Sequence, residues 1–503
     1  MPAIDHASPI PLYFQLKQLI KGQVERGELR PGQQIPTEAE LCQRFRMSRT
    51  PVRQALLELT REGVLQRSAG RGTFVAPRPQ PVLALRLAVP DERWQRLLET
   101  AADAWRTAGG SGRLELAFEL IPLNQLHDQL ALAVATGNAP DISVLDSVWV
   151  AEFASRRYIY PLAELDAAWT GRAGADIYPA LVESNRFRGQ LYAVPTNGDA
   201  AGLWYRRDWL AAEGLAPPAD WDGLLQVGRH FQQPAVRRRY GLGPHPFIFA
   251  AGRAGGETTT YQLLPLLWAN AGRIISDGQV SLDSPAVHQA LDFLQGLVAA
   301  RLAPPEVVAQ PWDGTWRAFA AGQAALALGG TYESFLIAGA AGWKQAEFSQ
   351  RAGFAPIPAG PAGRPSSLAG GMTLVVYRQS RRPAEALALL KQAVTTPVLK
   401  PFSLETGQHP AYRSVAQALG PEEDGFLRQT ASLLQQAGNR PALPAYDRLS
   451  AQFQEMVELC LRDGWRPEAA AQRAAERIAG ITGLPVAAAG GQGPKASLVP
   501  PAA

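Results

Sequence analysis

The sequence predicts a multidomain fold: a small, mostly helical module closed by a short β-hairpin, followed by a much larger α/β body. Three observations predict it. At 503 residues the chain exceeds one ordinary domain and suggests roughly three globular units. Apolar residues recur at helical spacing up to about residue 60, then switch to a period of two between residues 64 and 75. From residue 82 onward, apolar strands alternate with amphipathic helices, which is the pattern of an α/β sheet.

In the small module, Leu12, Leu16, Leu19 and Ile20 mark a first helix, which ends at Gly27 and the Pro31-Gly32 pair. Thr37 suits the N-cap of a second helix, with Glu38 and Glu40 favourable at its positive end and Leu41 and Phe45 facing inward. Ser48 suits the N-cap of a third helix, and Pro51 is tolerated in its first turn. Val52, Leu56 and Leu59 form its buried stripe. Arg49 and Arg53, four apart, take the opposite face. Two arginines at the start of such a helix can enter a major groove and reach phosphates or guanine edges. After Gly63, the run from Val64 to Val75 reads as strand, Gly-rich turn and strand, with Arg71 at the tip.

Charge agrees. Residues 1–80 hold 12 Lys/Arg against seven Asp/Glu, a net of +5, whereas the whole chain is only +4. A basic module on a near-neutral body suits a polyanion partner at one end.

The run from Pro11 to Val75 closely resembles the DNA-binding domain of the GntR family of bacterial regulators, a winged helix-turn-helix over residues 8–76. The resemblance implies that Arg49 and Arg53 contact double-stranded DNA. Thr37, Ser48 and Thr50 would add contacts, and Gly70, Arg71 and Gly72 would do so from the wing. Some members also use an arginine directly after the acidic residue that matches Glu38. Here that position is Ala39, so the contact is missing. The resemblance and half-site logic lead to a homodimer on a palindromic operator.

A Pro-rich link, residues 77–81, is expected to be semi-rigid and to give little reach. The body is expected to begin with a strand from Val82 to Val89. A helix follows with Trp94, Leu97, Leu98 and Ala101 on one face, then a strand through Leu114–Leu120 and a helix through Leu126–Ala135. Ligands of such sheets sit beyond strand C-terminal ends. Asp146 and Trp149 follow one such end. Asn197, Trp204, Trp268, Tyr332, Gly371, Tyr412 and Arg413 lie in comparable strand-end, turn or loop segments.

Over residues 82–480 the order and spacing of these segments resemble the sugar-type extracellular solute-binding proteins of ABC importers. The resemblance implies a two-lobed, type II periplasmic-binding-protein-like α/β domain with ligand in the cleft. A mono- or oligosaccharide is the expected ligand. Aromatic planes cover sugar C–H faces, and Asp, Asn, Arg and backbone groups satisfy the hydroxyls.

Other classes are disfavoured. A pyridoxal-phosphate aminotransferase-like body needs a lysine, and none of Lys344, Lys391, Lys400 and Lys495 has the small-residue context. There is no G-x-S-x-G elbow and no His cluster with metal spacing. Two cysteines, Cys42 and Cys460, make neither a disulfide framework nor a metal site. The chain is therefore expected to be neither an enzyme nor a cofactor or metal protein. Lacking a signal peptide or an apolar span, it is expected in the cytoplasm, which argues against a plain transport receptor. Residues 481–503, rich in Gly, Ala and Pro, are expected to be a disordered tail.

Overall fold

The computed structural model describes residues 4–76, 82–110, 113–420 and 425–488. These form two compact units dividing at Val82. The expected link at residues 77–81 lies outside the described residues. Among the described residues, no helix is long and apolar enough to cross a membrane.

The N-terminal unit has three helices, α1 (Leu12–Glu25), α2 (Glu38–Phe45) and α3 (Arg49–Arg61), and two strands, β1 (Leu65–Ser68) and β2 (Gly72–Val75). Leu16, Ile20, Leu41, Val52, Leu56 and Leu59 interlock in its core. Each such side chain contributes roughly 1.5–3 kcal/mol by leaving water. Strands β1 and β2 pair antiparallel from Leu65–Val75 to Ser68–Gly72. The hairpin is tied back to the domain because the Ile35 amide donates to the Thr73 carbonyl at 3.0 Å.

The body contains two lobes. The first is built on a five-stranded sheet that includes β3 (Val82–Val89), β4 (Arg113–Leu120) and β5 (Ile142–Asp146), ordered β4, β3, β5, then the later strands Met372–Val376 and Val194–Pro195. Strands β3 and β5 run parallel, and Met372–Val376 returns antiparallel to β5. The helix Glu92–Thr107 starts at an Asp91 cap and buries Trp94, Leu97, Leu98 and Ala101. Every apolar residue of β5 is buried, as expected of a strand covered on both faces.

The second lobe is organised by the strand Asn197–Arg206, all ten residues of which are buried. It pairs antiparallel with Leu326–Gly330 on one side and Ala352–Ala355 on the other. Near its start it also pairs with Ala369–Gly370 and His409–Pro410. The chain passes between lobes at Thr196, again at Gly371, and a third time between Leu434, in the core of the first lobe, and Tyr446, in the core of the second. At Gly371, φ is +151° and an added Cβ would lie 2.3 Å from the Asn197 carbonyl oxygen, so the crossing admits only glycine without displacement.

The expected tail begins too early. The last helix, Pro467–Thr482, packs through Ala470, Ala471, Ala474 and Ile478. Beyond it, Val486 bridges Val280. The Val280 amide donates to the Pro485 carbonyl, and the Ala487 amide to the Val280 carbonyl, both at 2.9 Å. Residues 481–488 are thus ordered by strand-like pairing that their small, Pro-containing composition concealed. Residues 489–503 lie outside the described residues.

Candidate functional site

Two surfaces carry chemistry. The first is the exposed face of the N-terminal unit. Helix α2 begins with a complete capping box. The Glu40 amide donates to Thr37 Oγ1 at 3.3 Å, and the Thr37 amide donates to Glu40 Oε2 at 2.7 Å. The bond from the Thr37 amide foremost, with a second from the Thr37 hydroxyl to the same oxygen at 2.9 Å, holds the Glu40 carboxyl below its usual range. Ser48 occupies the N-cap position of α3 in extended backbone, but its side chain makes no cap hydrogen bond. Arg49, Thr50 and Arg53 are exposed on the face of α3 opposite the buried stripe.

Glu38 gathers this face. Its carboxylate lies 3.3 Å from Arg53 and 2.8 Å from Arg67. Arg67, on the outward face of β1, was not singled out from sequence, although its place one strand residue before the wing turn was visible. Gly70 and Gly72 have φ of +72° and +118°. An added Cβ at Gly72 would lie 2.5 Å from Gln34 Nε2. The same amide donates to the Arg71 carbonyl at 3.1 Å, so Gln34 fixes the wing turn.

The second surface lies between the two lobes of the body. Strand β5 ends at Asp146, whose Oδ1 accepts from the Val148 amide at 3.1 Å and caps the next turn. The Arg440 guanidinium approaches Asp146 to 3.8 Å and pairs with Glu257 at 2.8 Å. Asp146 belongs to the first lobe. Glu257 starts the helix Glu257–Ala269, whose side chains fill the core of the second. Arg440, only 7% exposed, is therefore a cation shared across the cleft. Tyr446 and Ser450 donate to the two oxygens of Glu257 at 2.6 Å each.

Below Arg440, Tyr261 donates to Asp199 at 2.6 Å. Burial raises the Asp199 carboxyl to about 6, against the opposing pull of Tyr261 and Arg440. The Tyr332 ring meets Tyr261 edge-on at 6.0 Å. At the first lobe's rim, His127 contacts Glu152 at 2.9 Å and Asp447 at 3.8 Å, with the Trp149 ring at 5.2 Å. The bond to Glu152 is the main cause raising His127 to about 9, and burial raises Asp447 to about 6.

The expected cleft residues divide. Asp146, Asn197 and Gly371 come together at the crossing. The Ser147 amide donates to the Gly371 carbonyl at 3.2 Å, and the Met372 amide donates to Asn197 Oδ1 at 3.2 Å. Asn197 is itself buried and acts as a brace. Tyr332 and Trp149 are half-buried beside the carboxylates, and half-buried Trp268 packs over Gly438, two residues before Arg440.

Trp204, Tyr412 and Arg413 need correction. Trp204 is completely buried inside the strand Asn197–Arg206, stacked on Phe426 and donating to Glu333 at 2.9 Å. Its polar N–H handle finds a partner inside the core rather than in a cleft. Tyr412 is buried in the first lobe's core, bridging backbone at Ile177. Arg413 donates to the Ala175 and Asp176 carbonyls and ties that loop to a helix end. Sequence reading missed Asp199, Glu257, Tyr261 and Arg440. Arg440 carried a weak signal, standing in a short polar turn, Gly438-Asn439-Arg440-Pro441, between helices.

Comparison with known proteins gives a family match for each of the two units. The model for "Bacterial regulatory proteins, gntR family" matches residues 12–75. The model for "Bacterial extracellular solute-binding protein" matches residues 115–397, more than half of the chain. A probable ABC transporter-binding protein of Deinococcus radiodurans is 28% identical over 301 residues, covering 58% of this chain and 66% of that protein. The HTH-type transcriptional repressor NagR of Bacillus subtilis is 48% identical over 73 residues, 14% of this chain and 30% of that protein. The chain thus spans just under two thirds of the first relative and under a third of the second. Among solved structures, a Thermotoga lettingae ABC transporter solute-binding protein bound with α-D-tagatose superposes with a TM-score of 0.68 at 23% identity, covering 80% of this chain and 99% of that one. The chain belongs to the bacterial extracellular solute-binding protein family and carries a gntR-family regulatory domain at its N-terminus.

Proposed function

We propose that this protein is a ligand-responsive DNA-binding transcription regulator whose solute-binding domain senses a small molecule, a sugar, and modulates operator binding. The observation that carries the reading is the union, in one chain, of an exposed arginine face on a gntR-type helix with a two-lobed fold whose cleft Arg440 spans. The tagatose-bound neighbour and the repressor relative support the same two halves. Neither matched family is a family of enzymes.

In this reading Arg49, Thr50, Arg53, Arg67 and the Gly70-Arg71-Gly72 wing meet DNA, with Thr37 and Ser48 at the helix starts adding contacts. Asp146, Asp199, Tyr332, Trp149, Trp268 and Arg440 meet the sugar, while Asn197 and Gly371 shape the crossing. A solute bridging Asp146 and Arg440 stabilises the closed arrangement, and its preference for that arrangement is the free energy available to shift DNA affinity. The protein works in the cytoplasm as a homodimer on a two-fold operator.

The test is a thermal-shift screen of a carbohydrate panel on the purified full chain, followed by fluorescence anisotropy on an operator fragment with and without the stabilising sugar. The expected result is a sugar that raises the unfolding temperature and changes operator affinity severalfold. A protein that no sugar stabilises, but an amine or nucleotide does, overturns the sugar assignment. A stabilising sugar with no effect on DNA affinity overturns the regulatory coupling.

A further inference from the structure

The histidines are scattered in sequence, but folding brings His127 against two carboxylates from other helices. His127 lies on the helix Leu123–Ala135, Glu152 on Val150–Ser155 and Asp447 at the start of Tyr446–Asp463. One donor atom from each lies within 4.8 Å of the others. His127 Nε2 is 2.9 Å from Glu152 Oε2 and 3.8 Å from Asp447 Oδ2. Zinc takes histidine nitrogen at about 2.0–2.1 Å and carboxylate oxygen at about 2.0–2.2 Å. At tetrahedral angles this sets donors about 3.4 Å apart. The two observed separations bracket that value.

The surroundings are those of a ligand set. His127 Nδ1 is 3.0 Å from the Asp128 carboxylate, an outer contact that orients the ring with Nε2 toward the cluster. Arg156 holds Glu152 Oε1 at 3.0 Å and leaves Oε2 for the cluster. The Trp149 and Phe153 rings flank the imidazole at 5.2 and 5.8 Å.

We propose that His127, Glu152 and Asp447 form a three-ligand site for a divalent transition metal, zinc by its donor set, with a fourth position open to water or solute. A neutral imidazole and two carboxylates balance the ion's charge, and the proton on Nε2 leaves to solvent. His127 and Glu152 pack in the first lobe with Phe153, whereas Asp447 begins a helix whose buried face lies in the core of the second. The ion therefore clips the lobes together at the rim of the cleft, whichever solute the cleft takes.

The test uses the full chain, stripped with chelator and titrated with zinc alone in a calorimeter. It also uses cobalt, whose visible bands report four-coordinate geometry. The expected result is one zinc per chain, with affinity falling tenfold or more in both His127→Gln and Asp447→Asn. Binding is expected to persist in Cys42→Ser, which removes the half-buried thiol as an alternative ligand. Circular dichroism of each variant checks the fold, and Asp447, half-exposed, is replaceable without disturbing the core. Absence of stoichiometric binding in the parent overturns the site. Binding unchanged in Asp447→Asn overturns the clip.

Discussion

Glu333 lies fully buried against the Trp204 indole, and it also accepts from the Gly330 amide at 3.1 Å. Burial raises its pKa to about 8. The folded state therefore binds a proton that the unfolded state, with a pKa near 4.5, releases over most of that interval. Its stabilising contribution is fully present below the unfolded value and is lost as pH rises through the folded one. Glu333→Gln keeps an acceptor for Trp204 and removes the titration. The stability difference between parent and variant is expected to shift by about 2 kcal/mol in the parent's favour from about pH 7.5 to 5.5. Urea denaturation at the two values measures it, and a difference independent of pH refutes it. On the other unit, Arg49→Ala and Arg53→Ala are each expected to weaken operator binding by about 1–3 kcal/mol. Both side chains are exposed on α3, so thermal stability should stay within a degree or two. Anisotropy and melting curves on the same samples separate the two effects.

Among elements, the lobe crossing at Gly371 bears the most constraint. Gly371→Ala forces a Cβ against the Asn197 carbonyl at a backbone angle that L-residues avoid. It is expected to cost about 2 kcal/mol or more, read as a fall in denaturant midpoint. Thr37→Ala removes half of the α2 capping box and should cost about 1 kcal/mol in the N-terminal unit. Element order was legible because periodicity reports it directly. Strand β3 and the buried stripe of the following helix stand where spacing put them. The cleft was half legible. Asp146 was readable because a polar residue ending an apolar strand has few places to go. Trp204 misled because the same strand continues through it, and an aromatic with a hydrogen-bonding edge looks alike in sequence whether its partner is a ligand or a buried Glu333. Arg440 was hidden because its meaning comes from Glu257 and Asp146, both far away in sequence.

For the molecule as a whole, the division at Val82 sets an expectation for unfolding. Calorimetry of the full chain should show two transitions, and a fragment of residues 1–82 should reproduce one of them. A single transition unchanged by deleting the N-terminal unit would refute it. Operator affinity should fall steeply with salt, the slope reporting how many phosphates the basic unit neutralises. The strand Asn197–Arg206 has a consequence for biosynthesis. Its partners include residues 326–330, 352–355, 369–370 and 409–410, so its pairing is not complete until four-fifths of the polypeptide has left the ribosome. The N-terminal unit closes on itself by Val75, within the first sixth. A nascent chain thus carries a finished gntR-family domain for most of its translation while the long strand of its solute-binding domain is still incompletely paired, the period in which such edges are most exposed to aggregation.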